Sequence, residues 1–167
     1  MVTRIRLAGY DPDSIVNGSG YRFVFYTQGC PHHCPGCHNP QTHAFTEGST
    51  IEIEKCINLM KRMKQIKPLT SGITFSGGEP FIQAEACYLI GKAAKENGLD
   101  IWCYTGYVYE DLIKMKDEYV HKLLEITDVL IDGPYIEKER DLDLRFRGSR
   151  NQRILILNKG EIDHVEN

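Results

Sequence analysis

The chain has no uncharged stretch long enough to span a lipid bilayer. Residues 1–9 carry Arg4 and Arg6 but lack the apolar core of a secretory signal. An excess of one charge sign is missing too, because 20 lysines and arginines face 23 aspartates and glutamates, for a formal net charge of -3. These absences argue against membrane insertion, secretion and any overall attraction to nucleic acid. We therefore expect a cytoplasmic protein with no membrane or nucleic-acid partner, in which any basic site is local.

Repeats, linkers and low-complexity tracts are also missing, so residues 1–167 are predicted to form a single domain. The predicted strands are residues 21–27, 73–76, 100–105, 129–131 and 153–157. The predicted helices are residues 53–67, 83–97, 108–115 and 119–126, and Ser49 with Glu52 forms a capping box before the first. This alternation predicts an α/β fold with parallel-sheet character. A closed barrel of eight βα units needs at least about 200 residues, so we expect a partial, open (βα) barrel.

Six cysteines in a cytoplasmic chain are poor candidates for disulfides, because cytosolic thiols stay reduced. Cys30, Cys34 and Cys37 lie in one loop, GCPHHCPGCHNP, directly after the first predicted strand. Iron-sulfur cubanes bind thiolates and normally take four of them. Three cysteines would leave one iron of the cluster without a protein ligand, just as catalytic zinc sites keep one coordination position free. The other cysteines fall inside helix and strand patterns and are predicted core residues: Cys56, Cys87 and Cys103.

The loop alone leaves two other interpretations open. A redox-active dithiol is the less favoured one, since the C-x2-C pair does not open a helix in a thioredoxin-like pattern. A zinc knuckle could be completed by one of the nearby histidines: His32, His33, His38 or His43. The zinc knuckle does not explain a second motif, SGGEP at residues 76–80, which follows the next predicted strand.

The spacing Cys30-x3-Cys34-x2-Cys37, followed by the SGGEP motif, resembles the radical S-adenosylmethionine superfamily. Further stretches resemble one branch of it, the activating proteins of anaerobic ribonucleoside-triphosphate reductases. These stretches are residues 15–18 (IVNG), 36–39 (GCHN), 102–107 (WCYTGY), 130–134 (LIDGP) and 147–153 (RGSRNQR). The last two favour this branch over an activase of another glycyl-radical enzyme and over a small-substrate radical enzyme. Outside the class, the alternative is a non-enzymatic zinc-binding interaction module.

The resemblance implies a radical S-adenosylmethionine oxidoreductase whose cofactors are a [4Fe-4S] cluster, held by Cys30, Cys34 and Cys37, and S-adenosylmethionine. Reductive cleavage of S-adenosylmethionine would give a 5′-deoxyadenosyl radical, which takes hydrogen from a glycine of the large reductase subunit. The implied partners are that subunit and a low-potential electron donor such as flavodoxin. No catalytic residue beyond the cluster and the cofactor is expected, because the cofactor carries the chemistry.

The residues expected to contact S-adenosylmethionine lie in the cysteine loop and at strand ends. They are Gly36, Cys37, His38, Ser76, Gly77, Gly78, Glu79, Tyr104, Thr105 and Asp132. The two glycines let the backbone approach the methionine moiety, and Glu79 is expected to pair with its ammonium. His38 is a candidate for the adenine, because the superfamily often has an aromatic residue where this chain has Gly36. Asp132 could contact the ligand or merely cap its turn.

Residues 138–153 form a locally basic segment that contains Arg145, Arg147, Arg150 and Arg153. A solvated loop, a contact with the cofactor carboxylate and a docking surface are all compatible with such a cluster. The resemblance favours a functional role, and we predict that Arg145 and Arg150 help to dock the reductase.

Overall fold

A computed structural model describes residues 1–167 and shows a mixed sheet of eight strands with four α-helices. The strands are β1 (Arg4–Ser14), β2 (Tyr21–Thr27), β3 (Ser49–Glu52), β4 (Thr70–Gly77), β5 (Asp100–Tyr104), β6 (Val129–Asp132), β7 (Arg153–Asn158) and β8 (Glu161–Glu166). The helices are α1 (Ile53–Ile66), α2 (Ala84–Glu96), α3 (Tyr109–Leu112) and α4 (Glu118–Ile126). No helix combines the length and the apolar character needed to cross a membrane.

The strands follow the order β3-β1-β2-β4-β5-β6-β7-β8 across the sheet. The central strands β2, β4, β5 and β6 are parallel, and the pairs on either side of them are antiparallel. Parallel strands place their carboxyl ends at one edge of a sheet, where open α/β folds bind ligands. The cysteine loop follows β2 and the SGGEP motif closes β4, so both lie at that edge.

The two faces of the sheet are covered differently. On one face, α2 packs between α1 and α4 over a core of 26 buried residues that includes Ile101 and Cys103 of β5. Side chains alternate along a strand, so Trp102 points to the other face, where it joins a small cluster with Val129, Ile131 and Ile154. Phe146 of the basic segment packs edge-on against Trp102 at 5.0 Å. The basic segment therefore lies across the face that carries no α1 or α2.

The predicted strands β2, β4, β5 and β6 and the helices between them are confirmed, two sequence predictions are corrected, and three strands are new. Ser49 and Glu52 do not form a capping box, because they lie in β3 and the Glu52 side chain pairs with Arg4 at 2.9 Å. Strand β7 is antiparallel to β6, and not parallel as the alternation suggested. Strands β1, β3 and β8 were not predicted. In β1 the apolar alternation is interrupted at two irregularities in the pairing with β2.

Candidate functional site

A cavity of about 370 Å³ lies at the carboxyl ends of the parallel strands. Most of the predicted site residues line it together: Cys30, Cys34, Cys37, His38, Ser76, Gly77, Gly78, Tyr104 and Thr105. Gly36, Glu79 and Asp132 do not line it. The cysteine loop, the SGGEP motif and the end of β5 therefore converge on one site, although they are far apart in the sequence.

The cysteine loop is anchored to the segment that follows it. The Gly29 N–H donates to Thr42 O at 2.7 Å, and the Cys30 N–H donates to His43 O at 3.1 Å. All three cysteines are free; Cys30 is buried, whereas Cys34 and Cys37 are half-buried. Burial raises the pKa of the Cys30 thiol. Three free thiols on the wall of one cavity are the donor set that iron-sulfur clusters use.

The histidines of the loop make contacts of their own. His32 Nε2 lies 2.7 Å from Glu79 Oε1, His33 meets the edge of His43, and His38 meets the edge of Tyr135. Burial lowers the pKa of His43. No group of three or more His, Cys, Asp and Glu side chains comes close enough together to hold a single metal ion.

Gly77 and Gly78 let the end of β4 lie directly against the end of β2. Gly77 has a φ of +92°, and a Cβ there would lie 2.6 Å from the backbone N and O of Thr27. A Cβ on Gly78 would collide with the carbonyl oxygen of Gly29. The Gly78 N–H donates to Thr27 O at 2.8 Å. Both glycines line the cavity, but their tightest contacts are with the backbone of the chain itself.

The Glu79 carboxylate is fully buried and faces its own chain. Its Oε1 accepts hydrogen bonds from the Thr105 hydroxyl at 2.9 Å and the Gly106 N–H at 2.8 Å, and it lies within hydrogen-bond distance of His32. Its Oε2 accepts from the Phe81 N–H at 3.0 Å. The carboxylate therefore lies behind the cavity wall, and its pairing with a ligand ammonium stays a prediction. Glu79 ties the cysteine loop to β5.

Asp132 and Gly36 are also placed by contacts outside the cavity. Asp132 is buried and accepts from the Tyr109 N–H at 2.8 Å and the Arg153 Nε at 3.0 Å, and this pairing raises the pKa of Arg153. Asp132 therefore does not cap its own turn but links β6 to α3 and β7, and its contact with the ligand stays a prediction. Gly36 has a φ of +76°, and a Cβ there would lie 2.7 Å from the Glu137 carboxyl carbon.

Sequence reasoning missed part of the cavity wall. Asn17 lines it, and its carbonyl oxygen accepts from the Thr74 hydroxyl at 2.6 Å. Buried Arg22 donates to the same hydroxyl at 2.8 Å and holds the segment before β2 in place. Further lining residues come from the loop after β6 and from the basic segment: Gly133, Tyr135, Phe146, Arg147, Gly148 and Gln152. The sequence signal for Asn17, Gly133, Arg147, Gly148 and Gln152 was the resemblance of residues 15–18, 130–134 and 147–153, whereas Tyr135 and Phe146 lie outside these stretches.

Comparison with known proteins agrees with this site. A family model described as a 4Fe-4S single cluster domain matches residues 16–155. The protein named anaerobic ribonucleoside-triphosphate reductase-activating protein is 32% identical in Haemophilus influenzae and 34% identical in Vibrio cholerae, each over 86% of this chain and 92% of the relative. The protein of that name in Enterobacteria phage T4 is 33% identical over 86% of this chain and 88% of its own. The chain belongs to this family of activating proteins.

The matching family model describes a domain that holds a single 4Fe-4S cluster. The three free thiols on the wall of the cavity are the donor set that suits such a cluster. Among solved structures, QueE from Escherichia coli aligns with a TM-score of 0.44 and 17% identity, over 62% of this chain and 53% of that one. A likeness at that level carries no conclusion about function.

Proposed function

We propose that this activating protein holds a [4Fe-4S] cluster through Cys30, Cys34 and Cys37 and activates an anaerobic ribonucleoside-triphosphate reductase. The observation that carries the proposal is the shared cavity, in which all three thiols face the ends of β4 and β5. Held there, the cluster would supply the electron for reductive cleavage of S-adenosylmethionine, and this radical chemistry would remove a hydrogen atom from a glycine of the reductase.

The chain's own residues bind and orient the cofactor. The backbone of Ser76, Gly77 and Gly78 offers polar groups without bulky side chains on the wall beside the thiols. Tyr104 and Thr105 close the wall at the end of β5, and His38 with Tyr135 presents aromatic edges for the adenine. Holding the reacting groups in one geometry is the main way in which such a site accelerates its reaction.

A protein substrate fits the exposed surroundings of the cavity. Ile15 and Val16 precede β2 and are 67% and 71% exposed, and Val16 also lines the cavity. Apolar side chains at the rim of a site are typical of a surface that a partner covers. Arg145 and Arg150 are exposed nearby on the basic segment and provide a positive docking surface. The large reductase subunit is the partner we assign to this surface.

The proposal also covers the number of domains, the type of barrel, the cellular compartment and the electron donor. We assign residues 1–167 to a single domain in which the parallel strands curve as a partial, open (βα) barrel of the radical S-adenosylmethionine type. The order of the strands supports it, since it runs from β3 to β8 and leaves both end strands at open edges. We further propose that the protein acts in the cytoplasm, with a low-potential donor such as flavodoxin.

The proposed function is tested by incubating the reconstituted protein anaerobically with its reductase, S-adenosylmethionine and a reductant. Electron paramagnetic resonance should then detect a glycyl radical on the reductase, and replacing the accepting glycine by alanine should remove it. A protein that cleaves S-adenosylmethionine but leaves this reductase without a radical would contradict the choice of partner. A radical formed instead on another glycyl-radical enzyme would support the alternative activase.

A further inference from the structure

The wall of the cysteine-lined cavity contains a single permanently charged side chain, that of Arg147. The rest of the lining consists of thiols, imidazoles, amides, hydroxyls, aromatic rings, Val16 and glycine backbone, with no lysine, aspartate or glutamate. S-adenosylmethionine carries an ammonium, a sulfonium and one carboxylate. The carboxylate is the only anionic group of this ligand, so it is the part of S-adenosylmethionine that can pair with a guanidinium.

The Arg147 guanidinium is almost unused within the chain. Its one hydrogen bond runs from Nη1 to Gln152 O at 3.1 Å, and its Nε is buried without a partner. Three arginines of the strands are paired with carboxylates: Arg4 with Glu52, Arg22 with Asp100 and Arg153 with Asp132. Arg147 has no such ion pair, although a guanidinium has five N–H donors. Its Nη2 makes no hydrogen bond within the chain, so this end of the guanidinium is free to bind a ligand.

The backbone around Arg147 is held before any ligand arrives. The Gln152 Oε1 accepts from the Gly148 N–H at 2.9 Å and the Ser149 N–H at 3.2 Å, and its Nε2 donates to Gly133 O at 3.1 Å. On the other side, the Phe146 ring rests against Trp102. A fixed backbone reduces the entropy lost when the guanidinium binds.

We propose that Arg147 binds the carboxylate of the methionine moiety of S-adenosylmethionine. The inference rests on the proposed function, and it divides the basic segment into two parts. Arg145 and Arg150 are exposed for a partner, whereas Arg147 lines the cavity. A planar guanidinium binds a carboxylate through two parallel hydrogen bonds. Because Glu79 is occupied within the chain, the ligand ammonium meets no acidic side chain in the lining. Charge recognition of the methionine end therefore depends on Arg147.

The test compares two ligands on anaerobic, cluster-loaded protein by calorimetry, with the cluster oxidised so that no turnover occurs. The ligands are S-adenosylmethionine and decarboxylated S-adenosylmethionine, which lacks the carboxylate. Arg147→Gln should weaken binding of the first about 10- to 100-fold, the range for losing a charge-assisted contact. Binding of the decarboxylated ligand should stay unchanged or tighten, because a like charge is removed. Arg140→Gln is the matched control, because Arg140 is an exposed arginine of the same segment that does not line the cavity, and it should alter neither affinity.

Equal weakening of both ligands by Arg147→Gln would overturn the proposal and show that Arg147 only supports the wall. Unchanged affinity for S-adenosylmethionine would overturn it as well. If Arg147→Gln fails to take up the cluster, Arg147→Lys provides the test, because lysine keeps the positive charge but cannot form two parallel hydrogen bonds with a carboxylate. Arg147→Lys should weaken the binding of S-adenosylmethionine and not that of the decarboxylated ligand. An equal loss of affinity for the two ligands would again contradict the proposed contact. Failure of the unaltered protein to bind S-adenosylmethionine is a separate outcome, and it would contradict the proposed function itself.

Discussion

His32 Nε2 lies 2.7 Å from Glu79 Oε1, which joins the cysteine loop to the end of β4. The same carboxylate oxygen accepts from Thr105 and Gly106 after β5. One buried carboxylate therefore holds three segments that line the cavity but are not adjacent in the sequence. This contact supports the loop between Cys30 and Cys34, in addition to the backbone hydrogen bonds of Gly29 and Cys30.

Glu79→Gln should destabilise the cluster-free protein by about 1–3 kcal/mol, because an amide nitrogen would face backbone N–H groups and leave buried donors unsatisfied. Cluster loading should fall with it, since the cysteine loop loses its anchor. Urea unfolding and iron content measure the two effects, and Glu137→Gln on the exposed segment beside Gly36 is the control. A stable, fully loaded Glu79→Gln protein that binds S-adenosylmethionine poorly would instead support the predicted pairing of Glu79 with the ligand ammonium.

Gly78→Ala should impair folding of the cysteine loop as well as cofactor binding. The sequence motif alone predicts that Gly78 lets the backbone approach the ligand, so that a side chain there would block the ligand and leave the cluster intact. The structure places the new Cβ against the Gly29 carbonyl, one residue before Cys30. Iron uptake should therefore fall, whereas Gly9→Ala in β1, with nothing within 4 Å, should load normally. Normal iron uptake by Gly78→Ala combined with weak cofactor binding would support the earlier expectation.

The sequence predicted the parts of the molecule in which local pattern decides the structure. Apolar strands such as β2 and β6 and amphipathic helices such as α1 carry their own signal. The cysteine spacing likewise marks chemistry within one short loop. β1 was missed because charged residues, Gly9 and Pro12 interrupt its alternation, and it is held by pairing with β2 and β3.

The sequence could not predict which partners the side chains at the strand ends contact. Glu79 and Asp132 both sit at strand ends, where a ligand contact is a reasonable expectation. Their actual partners, such as Gly106 and Arg153, are 27 and 21 residues away in the chain. Arg147 shows the reverse case, because nothing in the run RGSRNQR says which arginine faces the cavity.

Alkylation should separate the cysteines of the cluster-free protein into two groups. Burial raises the pKa of Cys56 to about 11 and of Cys103 to about 12, and it raises the pKa of Cys87 well above its usual value. These thiols stay protonated at neutral pH and should resist iodoacetamide, since only the thiolate reacts. Half-buried Cys34 and Cys37 should be labelled first. Peptide mass spectrometry measures the order, and denatured protein should label at all sites. Early labelling of Cys87 would contradict the described core.

Arg145→Glu and Arg150→Glu should weaken binding to the reductase, mainly by lowering an association rate that depends on salt. Cleavage of S-adenosylmethionine without the partner should persist, because neither residue lines the cavity. Surface plasmon resonance and 5′-deoxyadenosine release measure the two properties in the same preparations. Arg62→Glu on α1, at the far side of the sheet, is the matched charge reversal. If uncoupled cleavage collapses as well, the two arginines act on the cofactor site and docking is the wrong assignment.

The central claim is that Cys30, Cys34 and Cys37 hold an iron-sulfur cluster, and metal analysis after anaerobic reconstitution tests it most directly. We predict about four iron and four sulfide per chain in the unaltered protein and in Cys87→Ala. Each single alanine variant of the three loop cysteines should lose the cluster together with S-adenosylmethionine cleavage. A colourless protein that binds zinc in place of iron, or a Cys34→Ala variant with a full and active cluster, would contradict the account.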